Sequence, residues 1–249
     1  MSVASGIGNG TGRVAALSAA GTHIRPETVM APGIGRRIRL IVEIGVLYLA
    51  VPLLLKLIVF GLHAPLFVVL PPVLLALLAF LLWDRTFRVV AEFGKGFRFV
   101  ELLSILALFL VVGGIILFVV ARILPDDLFS MPLERPRIWK RVMLFYPLLS
   151  VLPQELIYRS FFFHRYGPLF GRRRWLAILV NGALFGFGHV IFASYLAMVL
   201  TMLLGLVLAW RYERTRSLWA VWLEHSLYGC LIFTVGIGFI FFTGVASVG

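Results

Sequence analysis

Charged residues and cysteine are what this sequence has least of. Only 14% of its 249 residues are Asp, Glu, Lys or Arg, against about 25% in a typical soluble domain. The single cysteine, Cys230, excludes an intrachain disulfide and a cluster of thiolate metal ligands. Hydrophobic residues make up 61% of the chain, and its mean hydropathy is +1.01. This composition predicts an all-α, polytopic transmembrane helix bundle.

Acidic residues are scarcer still. Eleven acids stand against 23 Lys and Arg, giving a formal net charge of +12. An excess of this size can indicate nucleic-acid binding, but here the basic residues are scattered through short loops between apolar runs. Cytoplasmic loops of membrane proteins carry such an excess. We therefore expect no nucleic-acid partner, and we expect the basic loops to face the cytoplasm.

Seven apolar runs approach the roughly 20 residues that a helix needs to cross a bilayer. They lie at about 40–61, 65–83, 102–123, 140–163, 175–193, 195–210 and 218–242. With a cytoplasmic N-terminus, the basic clusters at 36–39, 85–98, 165–174 and 211–216 all fall on one side. The predicted organisation is a flexible cytoplasmic tail at 1–35, N-terminal transmembrane helices with an amphipathic loop at 36–138, and a C-terminal transmembrane core at 139–249.

The fourth run contains a carboxylate and a guanidinium, Glu155 and Arg159, four residues apart. This spacing places both side chains on one helix face, one turn apart. An ionisable residue in a membrane-spanning segment costs about 2.5 to 3.5 kcal/mol on insertion scales, so such residues mark candidate sites. Pro153 predicts a kink beside them. The alternative interpretation is a buried ion pair that only fixes helix packing.

Two further runs each carry a histidine, His189 and His225. Either one alone is more often a structural hydrogen-bond partner than a base or a ligand. Together with Glu155, they could activate a water molecule by general-base catalysis or by holding a divalent metal with an open position. Counted at 1.5 Å per residue from the cytoplasmic ends of their spans, Glu155 and His225 lie about 11 Å deep and His189 about 21 Å deep. This difference predicts that His189 does not contact Glu155.

Three ordered motifs on separate predicted spans resemble the CPBP family of intramembrane proteases, which includes the CAAX prenyl endopeptidases. The family pattern is Glu-Glu-x-x-x-Arg, then Phe-x-x-x-His, then His-x-x-x-Asn or His-x-x-x-Asp. The corresponding residues here are Gln154, Glu155 and Arg159, then Phe185 and His189, then His225. The resemblance covers about residues 140 to 232. It implies an endopeptidase acting on a membrane-embedded or lipid-modified peptide.

In the family, the first glutamate and the first histidine activate the water, the second histidine and the closing Asn stabilise the oxyanion, and the second glutamate and the arginine support the site. Gln154 stands at the position of the first glutamate here, so we expect Glu155 to take over and to activate the water together with His189. His225 would then stabilise the oxyanion, and Arg159 would orient Glu155. A divalent metal such as zinc at Glu155, His189 and His225, or no metal at all, is compatible with the resemblance. The expected partners are membrane lipid and a membrane-bound or lipidated peptide. The expected location is the bacterial inner membrane, which also agrees with the lack of a convincing targeting signal.

The sequence departs from the family pattern at two positions. Gln154 replaces the first glutamate, and a glutamine amide cannot take a proton from water. Gly229 replaces the closing Asn or Asp and offers no side-chain donor, so Asn181 or Tyr228 is the expected substitute. These departures favour an alternative, in which the chain is a non-catalytic membrane scaffold or immunity protein. A transporter is a third class, but no inverted repeat of broken helices is recognisable in the sequence.

Overall fold

A computed structural model describes residues 33–241, apart from the side chains of Leu66, Phe67 and Leu70. Throughout this range every regular element is helical, which confirms the all-α fold class. The predicted tail at 1–35 lies outside the described residues except for its last three, and Ile34 already begins the first helix. The helices are α1 (Ile34–Gly61), α2 (Leu66–Trp83), α3 (Val89–Phe93), α4 (Phe99–Ile123), α5 (Ser130–Glu134), α6 (136–165), α7 (Gly167–Phe170), α8 (Arg174–Phe192), α9 (Tyr195–Thr215) and α10 (Leu218–Thr234).

Four of these helices, α1, α4, α8 and α9, are long and apolar enough to cross a membrane. Helix α2 continues through Pro71 and Pro72, and its apolar stretch Pro71–Trp83 is shorter than these four helices. The fourth and seventh predicted runs correspond to α6 and α10. Seven spans with a cytoplasmic N-terminus therefore remain a prediction.

Helix α6 is wound irregularly where the candidate site begins. It widens into π-helical turns at Tyr146–Val151 and Leu156–Phe161. Pro147 and Pro153 lie within and between these turns, and each lacks the N–H that would bond to the preceding turn. Wide turns of this kind re-aim the side chains that they carry. The kink expected at Pro153 stays a prediction, and the structure adds the two wide turns on either side of it.

The C-terminal helices pack closely around α8. Gly182 and Gly186 on α8 lie against Leu206 and Met202 on α9, and a Cβ at either glycine would overlap these neighbours. The small residues therefore allow the two helices to approach. Helix α1 joins the same core through Tyr48, whose hydroxyl donates a hydrogen bond to the carbonyl oxygen of Ile157, 2.9 Å away.

The end of α9 corrects one predicted boundary. The sequence suggested that this span ends at residue 210, followed by an arginine-rich loop. Instead α9 continues to Thr215, and Arg211 is a buried residue within it, 3% exposed. The helix can contain this charge because Arg211 forms an ion pair with Glu224 on α10. The predicted amphipathic loop between α2 and α4 contains the short helix α3. Glu92 of α3 is buried and accepts a hydrogen bond from Tyr212 on α9.

Candidate active site

Glu155 and Arg159 lie in the interior of the helix bundle. Both side chains are fully buried on α6, and Oε2 of Glu155 is 3.4 Å from Nε of Arg159. The four-residue spacing brings them together on one face, as the sequence predicted. A buried pair of this kind gives little net stability, because both charges have lost their contact with water. The function of the pair therefore depends on the other groups that Glu155 and Arg159 contact.

Glu155 also contacts His225 on α10. Its Oε1 accepts a hydrogen bond from Nδ1 of His225 at 2.8 Å. An ionised carboxylate can only accept, so the hydrogen lies on Nδ1, and Nε2 of the neutral ring carries none. A carboxylate on one ring nitrogen is a common way to fix the tautomer and orientation of a histidine. His225 therefore presents Nε2 as a proton acceptor.

Arg159 is held by groups on both α6 and α8. Its Nη1 donates to Oδ1 of Asn181 at 2.8 Å, and Nδ2 of Asn181 donates to the carbonyl oxygen of Tyr158. The guanidinium carbon lies 4.5 Å from the centre of the Phe185 ring, close enough for a cation–π interaction. Asn181 thus positions Arg159, and both ends of its amide are engaged by protein groups.

His189 begins the last, tighter turn of α8. Its Nδ1 lies 2.8 Å from the carbonyl oxygen of Phe185, which can only accept, so Nδ1 carries the hydrogen here too. The Phe185 ring packs against both histidines, with centroid distances of 4.8 Å to His189 and 5.4 Å to His225. Among the described residues, no hydrogen bond joins His189 to Glu155.

A cavity of about 800 Å³ lies beside these histidines. Its walls are mainly aliphatic side chains from α4 and α9, such as Leu108, Ile116 and Leu204. Polar groups of α6, α8 and α10 gather in one part of the lining: Tyr146, Ser150, Gln154, His189 and His225. Such a cavity suits a largely apolar ligand held by a few polar groups.

Of the two neighbours Gln154 and Glu155 on α6, Gln154 lines this cavity and Glu155 does not. Neighbouring residues of a helix point about 100° apart, so the two side chains face different surroundings. Nε2 of Gln154 donates to Oγ of Ser150, one turn earlier, at 2.9 Å. Glu155 can therefore act on a bound molecule only through His225.

Comparison with known proteins fits this arrangement. Residues 137–231 match the family model of the Type II CAAX prenyl endopeptidase Rce1-like proteins. This match supports a relation of the segment to the CPBP/CAAX intramembrane proteases. No curated protein and no solved structure matches the chain. The match and the long apolar helices together indicate an integral membrane protein with a CAAX-protease-like segment.

The CPBP segment includes every candidate residue predicted from the sequence. It contains α7, α8 and α9, nearly all of α6 and most of α10. Helix α4 lies outside the matched segment, yet it forms one wall of the cavity. The CPBP core is therefore completed by a helix from the N-terminal part of the chain.

The three side chains proposed as metal ligands do not form a metal-binding group. Within residues 33–241, no three His, Cys, Asp or Glu side chains lie close enough together to hold an ion. Glu155 uses its oxygens on His225 and Arg159 instead. The donor set thus does not fit a three-ligand metal, and the mechanism below uses none.

Two features of the CPBP core were not predicted from the sequence. The first is Tyr146, whose ring packs against Gly229 and whose hydroxyl lies 3.5 Å from Nε2 of His225. The second is a separate buried ion pair, in which Arg211 donates to both carboxylate oxygens of Glu224 and, at 2.9 Å, to Oγ of Ser104. A tyrosine beside a proline in an apolar run carries no recognisable signal, whereas Glu224, next to a candidate histidine, could have been noticed.

Proposed function

We propose that this chain is an intramembrane endopeptidase that hydrolyses a peptide bond of a membrane-embedded or lipid-modified substrate. Membership of the CPBP family supports the reaction class. The observation that carries the proposal is His225, which is oriented by a buried carboxylate and lines a large apolar cavity. The cavity offers apolar walls for a lipid chain beside polar groups for a peptide bond.

His225 is the proposed general base. Its Nε2 takes a proton from the attacking water as the water oxygen bonds to the carbonyl carbon, and later returns that proton to the leaving amine as the C–N bond breaks. General acid–base catalysis of this kind contributes about 10²- to 10⁴-fold. Glu155 is a positioning residue that keeps the hydrogen on Nδ1 and stabilises the imidazolium, and Arg159 in turn holds Glu155. This division of roles differs from the sequence-based prediction, in which Glu155 itself met the water.

His189 and Gln154 are proposed to hold the reactants. Because Nδ1 of His189 donates to a backbone carbonyl, its Nε2 is available to accept the second hydrogen of the water. The amide of Gln154 has donor and acceptor capacity beyond its bond to Ser150, which suits a hydrogen bond to the substrate backbone. Neither role requires Gln154 to ionise.

The proposed substrate reaches the site from the lipid phase, and the proposed location is the bacterial inner membrane. The walls formed by α4 and α9 are aliphatic, so they favour an alkyl or isoprenyl chain over a polar one. The proposed substrate class is therefore a peptide attached to such a chain.

A non-catalytic scaffold is the second candidate. The observation that favours it is Gln154, an amide at the place in the cavity wall where a carboxylate would be the simpler base. In that case the same cavity would bind a lipidated peptide without cleaving it.

Cleavage of a quenched fluorescent peptide carrying an isoprenyl cysteine, measured in proteoliposomes, tests the choice. The endopeptidase should cleave it, and His225→Ala should lower kcat/KM by about 10²- to 10⁴-fold. His164→Ala is the matched control, because His164 is exposed at the end of α6 and bonds to Thr86 away from the cavity. Binding without cleavage would instead support the scaffold, and equal cleavage by His225→Ala would overturn the role of His225 as the base.

A further inference from the structure

We propose that the Tyr146 hydroxyl is the oxyanion donor of this site, taking the place of the side chain that Gly229 lacks. This inference rests on the proposed function. Tyr146 is the first residue of the wide turn Tyr146–Val151 of α6, and it lines the cavity together with His225. Its hydroxyl lies 3.5 Å from Nε2 of His225, with the two rings nearly perpendicular at 83°.

Gly229 is what admits this phenol. It follows His225 by one turn of α10, and a Cβ at this position would overlap both the ring and the hydroxyl of Tyr146. Any side chain at residue 229 would therefore compete with Tyr146 for the same space. The ring is fixed on its other side by Phe233, with centroids 5.4 Å apart. The glycine and the tyrosine thus form a complementary pair across α6 and α10.

The two histidines beside the cavity cannot themselves donate a hydrogen bond to the oxyanion. In their neutral forms, His225 and His189 each present an Nε2 without a hydrogen, so neither can donate to an oxyanion. The phenol can donate, and it lies within reach of the nitrogen that takes the water proton. A carbonyl carbon attacked by that water would develop its negative oxygen close to the Tyr146 hydroxyl.

The other candidate donors are less suitable. Asn181 is engaged with Arg159 and the carbonyl of Tyr158. Thr201 donates to the carbonyl of Ala197, 2.7 Å away on its own helix. Tyr228 packs its ring against Phe109, with centroids 5.5 Å apart. Tyr146, by contrast, places its hydroxyl within hydrogen-bonding distance of Nε2 of His225.

In the proposed step the water oxygen bonds to the carbonyl carbon and its proton passes to Nε2 of His225. The carbonyl π electrons move to oxygen, and the Tyr146 O–H donates a hydrogen bond to that oxyanion without transferring its proton. When the C–N bond breaks, the carbonyl re-forms and the nitrogen takes the proton from His225. Tyr146 ends the cycle unchanged.

Tyr146→Phe is the direct test, since it removes only the hydroxyl. Losing one oxyanion donor typically lowers kcat by about 10²- to 10³-fold, and KM and the unfolding temperature should stay close to wild type. Tyr166→Phe is the matched control, because Tyr166 is a buried tyrosine at the end of α6 that does not line the cavity. It should keep wild-type kcat.

A second variant pair tests the complementarity of Tyr146 and Gly229. Gly229→Asn alone should be inactive or poorly folded because its Cβ meets the Tyr146 ring. Combining it with Tyr146→Ala vacates that space and places an amide donor one turn after His225. We expect the double variant to exceed Tyr146→Ala alone in kcat by at least about tenfold, a part of the 10²- to 10³-fold loss. A purely structural role for Tyr146 would give no such rescue.

Wild type and His225→Ala are assayed alongside these variants, so that the two proposals fail differently. If His225→Ala is inactive while Tyr146→Phe keeps wild-type kcat, the oxyanion role is overturned and the endopeptidase stands. The role is also overturned if Tyr146→Phe changes only KM. If wild type does not cleave, the endopeptidase proposal falls and takes this inference with it. If His225→Ala cleaves as well as wild type, His225 is not the base, and the Tyr146 step built on it is overturned.

Discussion

The protein contains two buried Arg–Glu pairs that look alike in the sequence and differ in their surroundings. Arg211 and Glu224 join α9 to α10, and Ser104 of α4 completes the hydrogen bonding of the guanidinium. Arg159 and Glu155 lie within α6, where Nε and Nη2 of Arg159 and Oε2 of Glu155 have no hydrogen-bond partner in the part of the chain described here. Each guanidinium nitrogen of Arg211 therefore has a hydrogen-bond partner, whereas two nitrogens of Arg159 have none among the described residues.

The difference lies in what each carboxylate reaches. Glu224 contacts Arg211, whereas Glu155 also orients a histidine that lines the cavity. Buried charge alone is therefore a poor indicator of function, because both pairs are equally buried. The connection from a carboxylate to a histidine on a cavity is the more informative feature. Arg211 and Glu224 therefore serve as the structural reference for Arg159 and Glu155.

The largest difference is expected from replacing each glutamate by glutamine. Glu155→Gln removes the charge that stabilises the His225 imidazolium, so kcat for the isoprenyl peptide should fall by about 10²- to 10⁴-fold. Glu224→Gln should change kcat less than about threefold, because Glu224 does not contact the base. Cleavage rates in proteoliposomes, with circular dichroism to check folding, measure both. Equal losses in the two variants would remove the functional distinction between the pairs.

For the free energy of unfolding, we expect the Arg211–Glu224 pair to matter more than the Arg159–Glu155 pair. Arg211→Ala leaves Glu224 buried without its partner, and breaking a buried pair in this way costs about 3 to 5 kcal/mol. Ser104 on α4 also loses its hydrogen bond from Arg211 on α9, so we expect the substitution to loosen the contact between α4 and α9. Equilibrium unfolding in mixed micelles gives the free energy of unfolding. A loss below about 1 kcal/mol, the range of an exposed pair, would contradict the structural role.

Replacing each whole pair by apolar residues separates the two roles further. Arg211→Met combined with Glu224→Leu should keep both folding and activity, since replacing buried ion pairs by apolar residues is often neutral or stabilising by about 1 to 4 kcal/mol. Arg159→Met combined with Glu155→Leu should also fold but lose cleavage. An active variant of the second kind would show that His225 does not need its carboxylate.

The smallest expected effect concerns a partly exposed cluster outside the spans. Arg165 at the end of α6 donates to Asp84 at 2.8 Å and to Glu43 of α1, and Thr86 also donates to Asp84. Burial alone would raise the pKa of Asp84, but the hydrogen bonds from Thr86 and Arg165 outweigh it and lower the pKa below its ordinary value of 3.8. A lowered folded-state pKa gives stability that is present at neutral pH and is lost as pH falls through that pKa.

Asp84→Asn should therefore lower the free energy of unfolding at pH 7 by about 0.2 to 1 kcal/mol, as for an exposed ion pair. The difference from wild type should shrink as pH falls below about 4, the ordinary range of an aspartate. Thermal unfolding of both proteins across this pH range measures it. A difference that stays constant with pH would show that the charge of Asp84 is not involved.

Local spacing predicted part of the site correctly. The four-residue interval of Glu155 and Arg159, and the similar depth of Glu155 and His225, follow from helix geometry and chain position, and both contacts are present. The different orientation of Gln154 and Glu155 follows from the same geometry. Of the seven spans predicted from hydrophobicity, four correspond to helices that are long and apolar enough to cross a membrane.

Contacts between distant segments could not be predicted in this way. Tyr146 meets His225 across 79 residues of sequence, and the meeting depends on a wide turn at Pro147 that hydrophobic pattern does not reveal. Arg211 was assigned to a loop because an arginine at the end of an apolar run usually marks one. Its partner Glu224 lies on another helix.

The tautomer of His225 tests the central claim most directly. In protein labelled with ¹⁵N-histidine, the imidazole nitrogens of His225 can be assigned by comparison with His225→Ala. We predict a hydrogen on Nδ1 and none on Nε2 for the neutral ring in wild type, with a marked shift of both signals in Glu155→Gln. A hydrogen on Nε2, or spectra that Glu155→Gln leaves unchanged, would contradict a base oriented by Glu155.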